Sequence, residues 1–509
     1  MNNRSNSSSL KGNVLANLAG RAWSAGLSIV AVPIFIHILG TEAYGLVGLF
    51  TSLQVVFTFL DFGLVGTVNR EIARNIAVGQ SSSVNRDLVR TFEAIYWPVG
   101  AVIGCLILAG AGWISENLVN VQQLSLSEVR LAVIIMACSF AARWPVALYT
   151  GVLQGLQLQV LQNAVFIGAM TLRILGALAV IAWVSPTITA FFIAQAAASV
   201  VEVSASFLFS WSALNRGSSE PALFRAELLR GVWRFALGFN AVGVLGVALS
   251  NVDRIVISKY LPLHQLGYYA IASTAAGVMP LISYAVMTAV FPRFSAHAAV
   301  GDRDSLSRNY HHSVQAIAFP AVGITMAVAF FARDILWLWT RSAQVAQEAW
   351  VVLVLLSVAN LFAALLNPSF TMLMAYGQTK IPVLMNTVNA LFWIPAMFLL
   401  IPNWGIEAAA AIWLAQNIVV LFVYSYCVNK VVLHEKPRWF FARDVLLYIV
   451  FGLLWIGGGR LLTLSGTTPA TIILSILLAG LGYALSILLL SRTVSVFPHG
   501  YMKWTAPNA

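Results

Sequence analysis

Two long apolar segments near the start of the chain carry polar side chains at helical spacing. The segments lie within 13–71 and are joined by a short turn at 39–44. The polar residues are Asn13, Asn17, Arg21, Ser24 and Ser28 in the first segment, and Thr51, Gln54, Thr58 and Asp61 in the second. Residues three or four apart share one face of a helix. Each segment can cross the roughly 30 Å hydrocarbon core, and a polar face turned to lipid would be costly. The pattern therefore predicts two membrane helices whose polar faces line protein or a water-filled cavity.

Similar apolar runs continue along the whole chain and predict fourteen membrane-spanning helices. Hydrophobic residues make up 60% of the 509 and charged residues only 9%, whereas an ordinary soluble domain carries about 25% charged residues. The spans are predicted near 12–38, 43–67, 91–115, 128–152, 158–184, 188–212, 231–258, 265–291, 313–338, 348–375, 381–402, 405–429, 440–463 and 469–491. We therefore expect an all-α polytopic membrane protein.

The basic residues concentrate in four longer connections, at 68–90, 213–230, 292–312 and 430–439. With fourteen spans, these connections lie on the same side of the membrane as both chain termini. Cytoplasmic loops carry an excess of Lys and Arg, so both termini are predicted to be cytoplasmic. This bias, together with attraction to anionic lipid, accounts for the net charge of +11. No nucleic-acid partner is expected.

An internal repeat superposes the first six spans on the next six. When the sequence is moved along itself by one fixed number of residues, the number that separates Leu39 from Leu261, identical residues superpose in spans and loops alike. The other superposed pairs include Gly45 on Gly267, Arg86 on Arg308, Pro98 on Pro320 and Gly155 on Gly377. We call this displacement the repeat shift. A unit of six spans keeps one membrane orientation in both copies, as in parallel-repeat transporters. We predict a first six-helix lobe at 1–212, a cytoplasmic linker at 213–230 and a second six-helix lobe at 231–429. Two additional helices and a cytoplasmic tail follow at 430–509.

Five charged residues inside the predicted spans distinguish the first lobe from the second. They are Arg21, Asp61, Arg143, Arg173 and Glu202, and their counterparts under the repeat shift are Gly243, Ser283, Leu365, Pro395 and Tyr424. Each charge would cost about 2.5–3.5 kcal/mol in lipid, so these residues must face inward, pair or touch water. Two interpretations stay open. One is internal salt bridges, such as Arg21 with Asp61 or Arg173 with Glu202, and the other is a water-filled cavity that binds substrate. Arginine suits phosphate, whose oxygens match its planar fork of donors.

Other polar residues are predicted to be peripheral. Glu93, near a span end, is expected to reach the membrane interface, and the second lobe is expected to be the more apolar one. The histidines at 297, 311 and 312 are expected on the solvated surface of a cytoplasmic loop. No Walker A sequence, nucleophile–base pair or metal-ligand spacing stands out. We therefore expect neither an enzyme nor a metal or cofactor site.

Two motifs resemble the polysaccharide transporter (Wzx-type flippase) family of the multidrug/oligosaccharidyl-lipid/polysaccharide exporter superfamily. The first runs from Pro33-Ile34-Phe35 through Leu39-Gly40, Tyr44-Gly45-Leu46 and Leu60-Asp61-Phe62-Gly63-Leu64 to Asn69-Arg70-Glu71; the second is Asp253-Arg254-Ile255-Val256-Ile257 followed by Leu266-Gly267-Tyr268-Tyr269. The resemblance covers the first twelve predicted spans. It implies two six-helix lobes in a V around a central cavity, in the bacterial inner membrane. The additional pair of spans is similar to the fourteen-span lipid II flippases.

The resemblance also implies a function and a set of site residues. A flippase of this family moves an undecaprenyl-diphosphate-linked oligosaccharide from the cytoplasmic to the periplasmic leaflet by alternating access, for O-antigen, capsule or exopolysaccharide synthesis. Cationic residues of the first lobe would receive the diphosphate, and the matching candidates are Arg21, Arg143 and Arg173, with Asn17 beside them. Asp61 and Glu202 would couple transport to an ion or pair with these charges.

The partners that follow are the lipid-linked glycan, the bilayer, and polysaccharide polymerase or export proteins. No cofactor is expected, and coupling to an H⁺ or Na⁺ gradient is left open. Two alternatives are a drug/cation antiporter of the same superfamily and a non-transporting membrane component of a polysaccharide synthesis complex.

Overall fold

The described part of the protein is almost entirely helical. The structure, a computed structural model, describes residues 3–59, 64–215, 221–228, 251–434, 444–463 and 468–493. Ten helices within these ranges are long and apolar enough to cross a membrane. The protein is therefore a multi-pass helical membrane protein, as its hydropathy pattern predicts.

The chain divides into two compact units, and the first comprises residues 1–270 together with 386–406. Its helices in chain order are α1 (Asn3–Phe59), α2 (Leu64–Ala77), α3 (Ser82–Asn117), α4 (Leu126–Arg143), α5 (Val146–Gly155), α6 (Gln159–Thr171), α7 (Ala177–Trp183), α8 (Ile188–Leu214), α9 (Val252–Tyr260) and the first part of α10 (Leu263–Ala276). A π-helical turn, Leu172–Gly176, joins α6 to α7. Side chains of α2, α3, α5 and α8 form a buried apolar cluster that includes Phe92, Tyr96 and Tyr149.

The second unit comprises residues 271–385 and 407–509. Its helices are the rest of α10, then α11 (Met279–Val300), α12 (Arg303–Thr340), α13 (Ala343–Ala375), α14 (Lys380–Cys427), α15 (Leu446–Gly452), α16 (Gly458–Thr463) and α17 (Pro469–Thr493). The middle of α14, at 386–406, belongs to the first unit. The lobes predicted at 1–212 and 231–429 are based on the internal sequence repeat. The division of the chain into these lobes stays a prediction.

Two glycines explain part of the difference between the ten long helices and the fourteen predicted spans. The apolar parts of α1 (39 residues) and of α14 with its C-terminal extension (54 residues) each cover two predicted spans. Gly40 (φ 85°, ψ 166°) and Gly405 (φ 71°, ψ −159°) interrupt the helical geometry at the predicted turns. Only glycine adopts such positive φ values readily. Most of the seventh predicted span lies outside the described residues. The thirteenth, predicted near 440–463, is seen as the shorter apolar helix Leu446–Leu461, so the number fourteen stays a prediction.

The C-terminal helices pack closely on α12 of the second unit. Tyr483 on α17 donates its hydroxyl to Phe319 O at 2.7 Å, next to the proline that follows Phe319. Gly323 on α12 makes room for the Tyr483 ring, and Gly452 on α15 makes room for Met326. Tyr448, Tyr483 and Ile487 accordingly share one apolar cluster with residues of α12, α13 and α14. The two additional helices are thus an integral part of the second unit.

Candidate functional site

Three of the charged residues singled out in the sequence meet in the first unit. Arg143 is the last residue of α4, Arg173 lies in the π-helical turn after α6, and Glu202 lies on α8. Arg143 Nε lies 3.0 Å and Arg173 Nη2 lies 2.5 Å from the same oxygen, Glu202 Oε2. The structure thus contains the contact of Arg173 with Glu202 that the salt-bridge interpretation named as an example. The structure adds Arg143 to that pair, and we call these three residues the charged triad.

The π-helical turn sets the position of Arg173. Such turns insert one residue into a helix and are frequent at functional sites. Gln195 Nε2 on α8 donates to the Arg173 carbonyl oxygen at 3.2 Å, and Arg173 Nη2 also reaches Ser199 Oγ at 3.1 Å. Gln195, Ser199 and Glu202 follow one another at helical spacing on α8, which explains how a single helix face holds both ends of Arg173.

The triad is buried unequally and carries an unbalanced charge. The side chains of Arg173 and Glu202 are 6% and 4% exposed, whereas that of Arg143 is 28% exposed. Two guanidiniums share one carboxylate, so the cluster has a net charge of +1. In addition, Arg173 Nε is buried without a hydrogen-bond partner in the described structure. Buried donors are normally paired, so this Nε group is an exception within the triad.

Arg143 is the member best placed to meet a ligand. It binds Glu202 through Nε alone, and its two terminal NH₂ groups make no hydrogen bond to a described residue. Those groups form the part of the planar fork that pairs with carboxylate or phosphate oxygens in bidentate fashion. The terminal NH₂ groups of Arg143 can therefore bind an anion, which then competes with Glu202 for the charge of the guanidinium.

A cavity of about 420 Å³ lies beside the triad, between α6 and α8. Glu202 is its one charged lining residue among the described residues, and the rest of the lining is apolar or glycine: Leu161, Ala164, Val165, Gly168, Ala169, Leu172, Val201, Ala205 and Phe209. Leu172, Val201 and Phe209 are 41%, 51% and 44% exposed. These exposed apolar side chains give the cavity a hydrocarbon-like wall next to the carboxylate of Glu202.

The remaining predicted site residues lie on or near α1. Arg21 is exposed on α1, and its neighbours contact α6: Trp23 Nε1 donates to Thr171 Oγ1 at 2.9 Å, and Gly20 faces Asn163. The structure thus brings the helix of Arg21 alongside the helix that leads to Arg173. The Asn17 side chain and Asp61 fall outside the described part of the structure, so the predicted pair of Arg21 with Asp61 stays a prediction.

Glu93 is buried rather than extended to the membrane interface, so that expectation was wrong. Its Oε1 accepts hydrogen bonds from Tyr149 Oη at 2.8 Å and Trp211 Nε1 at 2.7 Å, and its Oε2 lies 3.1 Å from Arg90 Nη1. The partners Tyr149 and Trp211 come from α5 and α8, which are distant from Glu93 in sequence. Local spacing offered no signal for them.

The second unit also holds buried polar chemistry, contrary to the expectation of an apolar lobe. His311 on α12 is buried against Asp444, which closely precedes α15, and Gln315 Nε2 donates to the other oxygen of Asp444 at 2.8 Å. The prediction of a solvated His311 was therefore wrong. The internal repeat could have indicated this buried site. The repeat shift superposes Glu93 on Gln315, and both side chains are buried and polar in the structure.

Comparison with known proteins assigns the chain to a family. Residues 10–298, more than half of the chain, match the family model described as "Polysaccharide biosynthesis protein", and residues 242–399 match the MatE model. The chain belongs to the polysaccharide biosynthesis protein family and is a membrane transporter of the multidrug/oligosaccharidyl-lipid/polysaccharide exporter superfamily. The resemblance drawn from the two sequence motifs is thereby confirmed.

Individual relatives agree with this assignment. The chain is 24% identical over 386 residues to the uncharacterized membrane protein EpsK of Bacillus subtilis, covering 74% of this chain and 73% of EpsK. It is 20% identical over 405 residues to a putative O-antigen transporter of Shigella flexneri, covering 79% and 93%. Its fold is similar to that of the lipid II flippase MurJ in an inward closed conformation, with a TM-score of 0.76, 13% identity and coverage of 95% and 99%.

Proposed function

We propose that this protein is a flippase for a polyprenyl-diphosphate-linked oligosaccharide. The glycan head would move by alternating access from the cytoplasmic to the periplasmic leaflet of a bacterial inner membrane, and the product would serve surface polysaccharide synthesis. Both termini lie in the cytoplasm in this proposal, because the basic connections share their side. Coupling to H⁺ or Na⁺ is compatible with the proposal and is not specified by it.

The charged triad is the observation that carries the proposal. Two guanidiniums on one carboxylate oxygen leave a net charge of +1 in a setting where an unpaired charge is costly. A diphosphate supplies the missing negative charge, and its oxygens fit the terminal NH₂ groups of Arg143. The diphosphate would compete with Glu202 for Arg143 and Arg173, so Glu202 can take the guanidiniums back when the substrate leaves. Arg21 and Asn17 would extend this surface along α1, and Asp61 would pair with Arg21 or assist coupling.

The apolar cavity beside the triad supports a lipid-linked substrate over a soluble one. The cavity walls expose hydrocarbon-like surface next to the charged Glu202. A phosphate joined to a long apolar chain likewise combines a charged group with an apolar one, so it matches a cavity of this kind. A soluble sugar phosphate would leave such walls without a ligand.

The deciding experiment is a flipping assay in proteoliposomes that contain a fluorescent polyprenyl-diphosphate glycan. Arg143→Ala should slow transbilayer movement by at least tenfold, and Arg143→Lys should restore only part of the rate, because lysine lacks the bidentate fork. Arg130→Ala is the matched control, since Arg130 is an exposed arginine at the other end of α4. Equal rates for Arg143→Ala and Arg130→Ala, at equal protein incorporation, would refute the proposal.

A drug/cation antiporter is the second candidate, and two observations favour it. Residues 242–399 match the MatE model, and the one charged group among the described lining residues of the cavity is an acid. An antiporter would use Glu202 to bind a lipophilic cation, so Glu202→Gln would abolish efflux of ethidium from cells. The flippase proposal expects no ethidium efflux at all. It expects Glu202→Gln to bind the diphosphate more tightly and release it more slowly, because the competing carboxylate is gone.

A further inference from the structure

The pair of His311 and Asp444 differs in kind from every other buried carboxylate in the described structure. The others are Glu42, bound by the backbone N–H groups of Gln122 and Gln123; Asp87, bound by Leu223 N and Arg225; Glu93, bound by Tyr149, Trp211 and Arg90; Glu202, bound by Arg143 and Arg173; and Asp253, bound by Tyr269 and Arg254 N. Amide, phenol, indole and guanidinium donors keep one protonation state at neutral pH. Asp444 alone in this set faces a side chain that changes its charge between about pH 5 and 8.

In the described structure Asp444 is held by His311 and Gln315, and of these two side chains only the imidazole titrates near neutral pH. Asp444 is fully buried, His311 is 5% exposed, and Gln315 holds the second oxygen of Asp444. Among the described residues, the start of α12 also carries the exposed Arg303 and Asp304 together with Arg308, Tyr310 and His312. Other titratable groups on the elements packed around the pair include Tyr424 on α14, Lys430 and His434 in the turn after α14, Tyr448 on α15 and Tyr483 on α17. Arg308 and Lys430 are exposed and contact Ser305 and Tyr426, and His434 is exposed with Nδ1 on Lys430 O. The tyrosines stay neutral below about pH 10.

The pair also joins two parts of the second unit. His311 lies near the start of α12, and Asp444 stands just before α15, the first of the C-terminal helices. With a protonated imidazole, the contact is a hydrogen bond between opposite charges. With a neutral imidazole, a buried carboxylate is left with uncharged donors only, and such a charge is costly.

We propose that His311 and Asp444 form a proton-binding site that controls how tightly α15 docks on α12. One proton is taken up on His311, and the imidazolium–carboxylate pair then holds the C-terminal helices in place. Release of that proton, as the pH rises through the histidine range, loosens the contact. The ligand is the proton itself, and the proposal does not depend on which substrate the transporter carries.

The test is hydrogen–deuterium exchange of the full-length protein in lipid nanodiscs at several pH values, corrected for intrinsic exchange. Because the docked state binds the proton on His311, linkage makes the docking equilibrium less favourable as the pH rises. We therefore expect amides of α15 and α16 to exchange about tenfold faster at pH 8 than at pH 5.5, and amides of α3 in the first unit to show no such change. A wild-type profile without this difference would overturn the proposal.

Variants assign the effect to the pair. His311→Asn retains a donor at the place of Nδ1 but cannot titrate, and Asp444→Asn removes the charge with little change in shape. Both should flatten the pH profile, whereas the neighbouring His312→Asn should leave it as in the wild type. A pH dependence that survives in folded His311→Asn protein would show that another group is responsible. If neither His311→Asn nor Asp444→Asn folds, the wild-type and His312→Asn proteins still test the proposal. Loss of the pH dependence of amide exchange in His312→Asn would contradict the assignment to His311.

Discussion

Gly45 and Gly267 stand at equivalent positions of the internal repeat and pack directly against each other in the first unit. A Cβ atom on Gly45 would lie 3.0 Å from Gly267 N and would collide with Leu263 O, and one on Gly267 would collide with Thr41 O. Thr41 and Leu263 are themselves related by the repeat shift. The contact is therefore reciprocal, which is the property of a contact on a two-fold axis. The bond from Arg254 Nη1 to Ser52 Oγ, 2.9 Å long, also joins α9 to α1. An isolated β-bridge joins Asn120, which follows α3, to Pro262 just before α10.

Alanine at either glycine should destabilise the protein. The added methyl group has backbone atoms in its way rather than a flexible side chain, and overpacking of this kind costs about 1–3 kcal/mol. We expect a lower unfolding midpoint for Gly45→Ala and Gly267→Ala in detergent. Gly66→Ala on α2 is the control, because no atom lies within 4 Å of the added Cβ and alanine favours a helix. Equal midpoints for Gly45→Ala and Gly66→Ala would contradict the close crossing.

Removal of one donor to Glu93 should also destabilise the first unit. Tyr149→Phe leaves Oε1 of Glu93 with Trp211 only, and an under-satisfied buried group costs about 1–3 kcal/mol, more when it is charged. Tyr260→Phe is the matched control, because Tyr260 is 40% exposed and its ring packs edge-on against Phe398 without using the hydroxyl. Denaturant unfolding of both variants measures the difference. If Tyr149→Phe is as stable as the control, Glu93 does not depend on this bond.

The charged triad should behave as one coupled unit. Glu202→Leu leaves two guanidiniums without a counter-charge and should cost about 3–5 kcal/mol, whereas Arg173→Met leaves Glu202 with Arg143 and should cost less. The double variant should be more stable than the sum of the single effects by at least about 1 kcal/mol. The pair of Arg460 with Asp334, 34% and 23% exposed, should give a smaller coupling, about 0.2–1 kcal/mol. Additive single effects at Arg173 and Glu202 would rule out the pairing.

The start of α12 should depend on pH through Asp302, which lies between two membrane-spanning helices. Hydrogen bonds from the Ser305 hydroxyl and backbone N–H lower the pKa of the Asp302 carboxyl. A lowered folded-state pKa means that the stabilisation is present above the unfolded pKa of about 4 and is lost as the pH falls through the folded value. We expect amide exchange of the first turn of α12 to increase below about pH 4 in the wild type, and Asp302→Asn to lose that pH dependence. An unchanged acid response in Asp302→Asn would exclude this cap as its cause.

The charged residues of the site could be found from the sequence, but their arrangement could not. Arg143, Arg173 and Glu202 stand out because an ionised side chain within an apolar span needs an inward partner or water. Nothing in their spacing shows that both arginines meet the same oxygen of Glu202. That detail depends on the end of α4 and on the extra residue of the π-helical turn at Arg173, and both arise from packing between helices.

The same limit explains the errors at Glu93 and His311. Glu93 lies near a predicted span end, which suggested contact with the membrane interface. His311 lies in a predicted cytoplasmic loop, which suggested contact with solvent. A single sequence reports only such local context. Their partners Tyr149, Trp211 and Asp444 lie 56, 118 and 133 residues away. Contacts over such separations are decided by which helices become neighbours.

The sequence by itself determined that this protein is a helical membrane transporter with a duplicated plan, because hydrophobicity and an internal repeat are properties of the chain alone. Tertiary structure decided which polar groups meet. It placed Gly45 against Gly267, gathered two arginines on Glu202, and buried His311 against Asp444. The physical reason is that a charge in lipid is costly wherever it lies along the chain, whereas the partner that relieves this cost is chosen by three-dimensional packing.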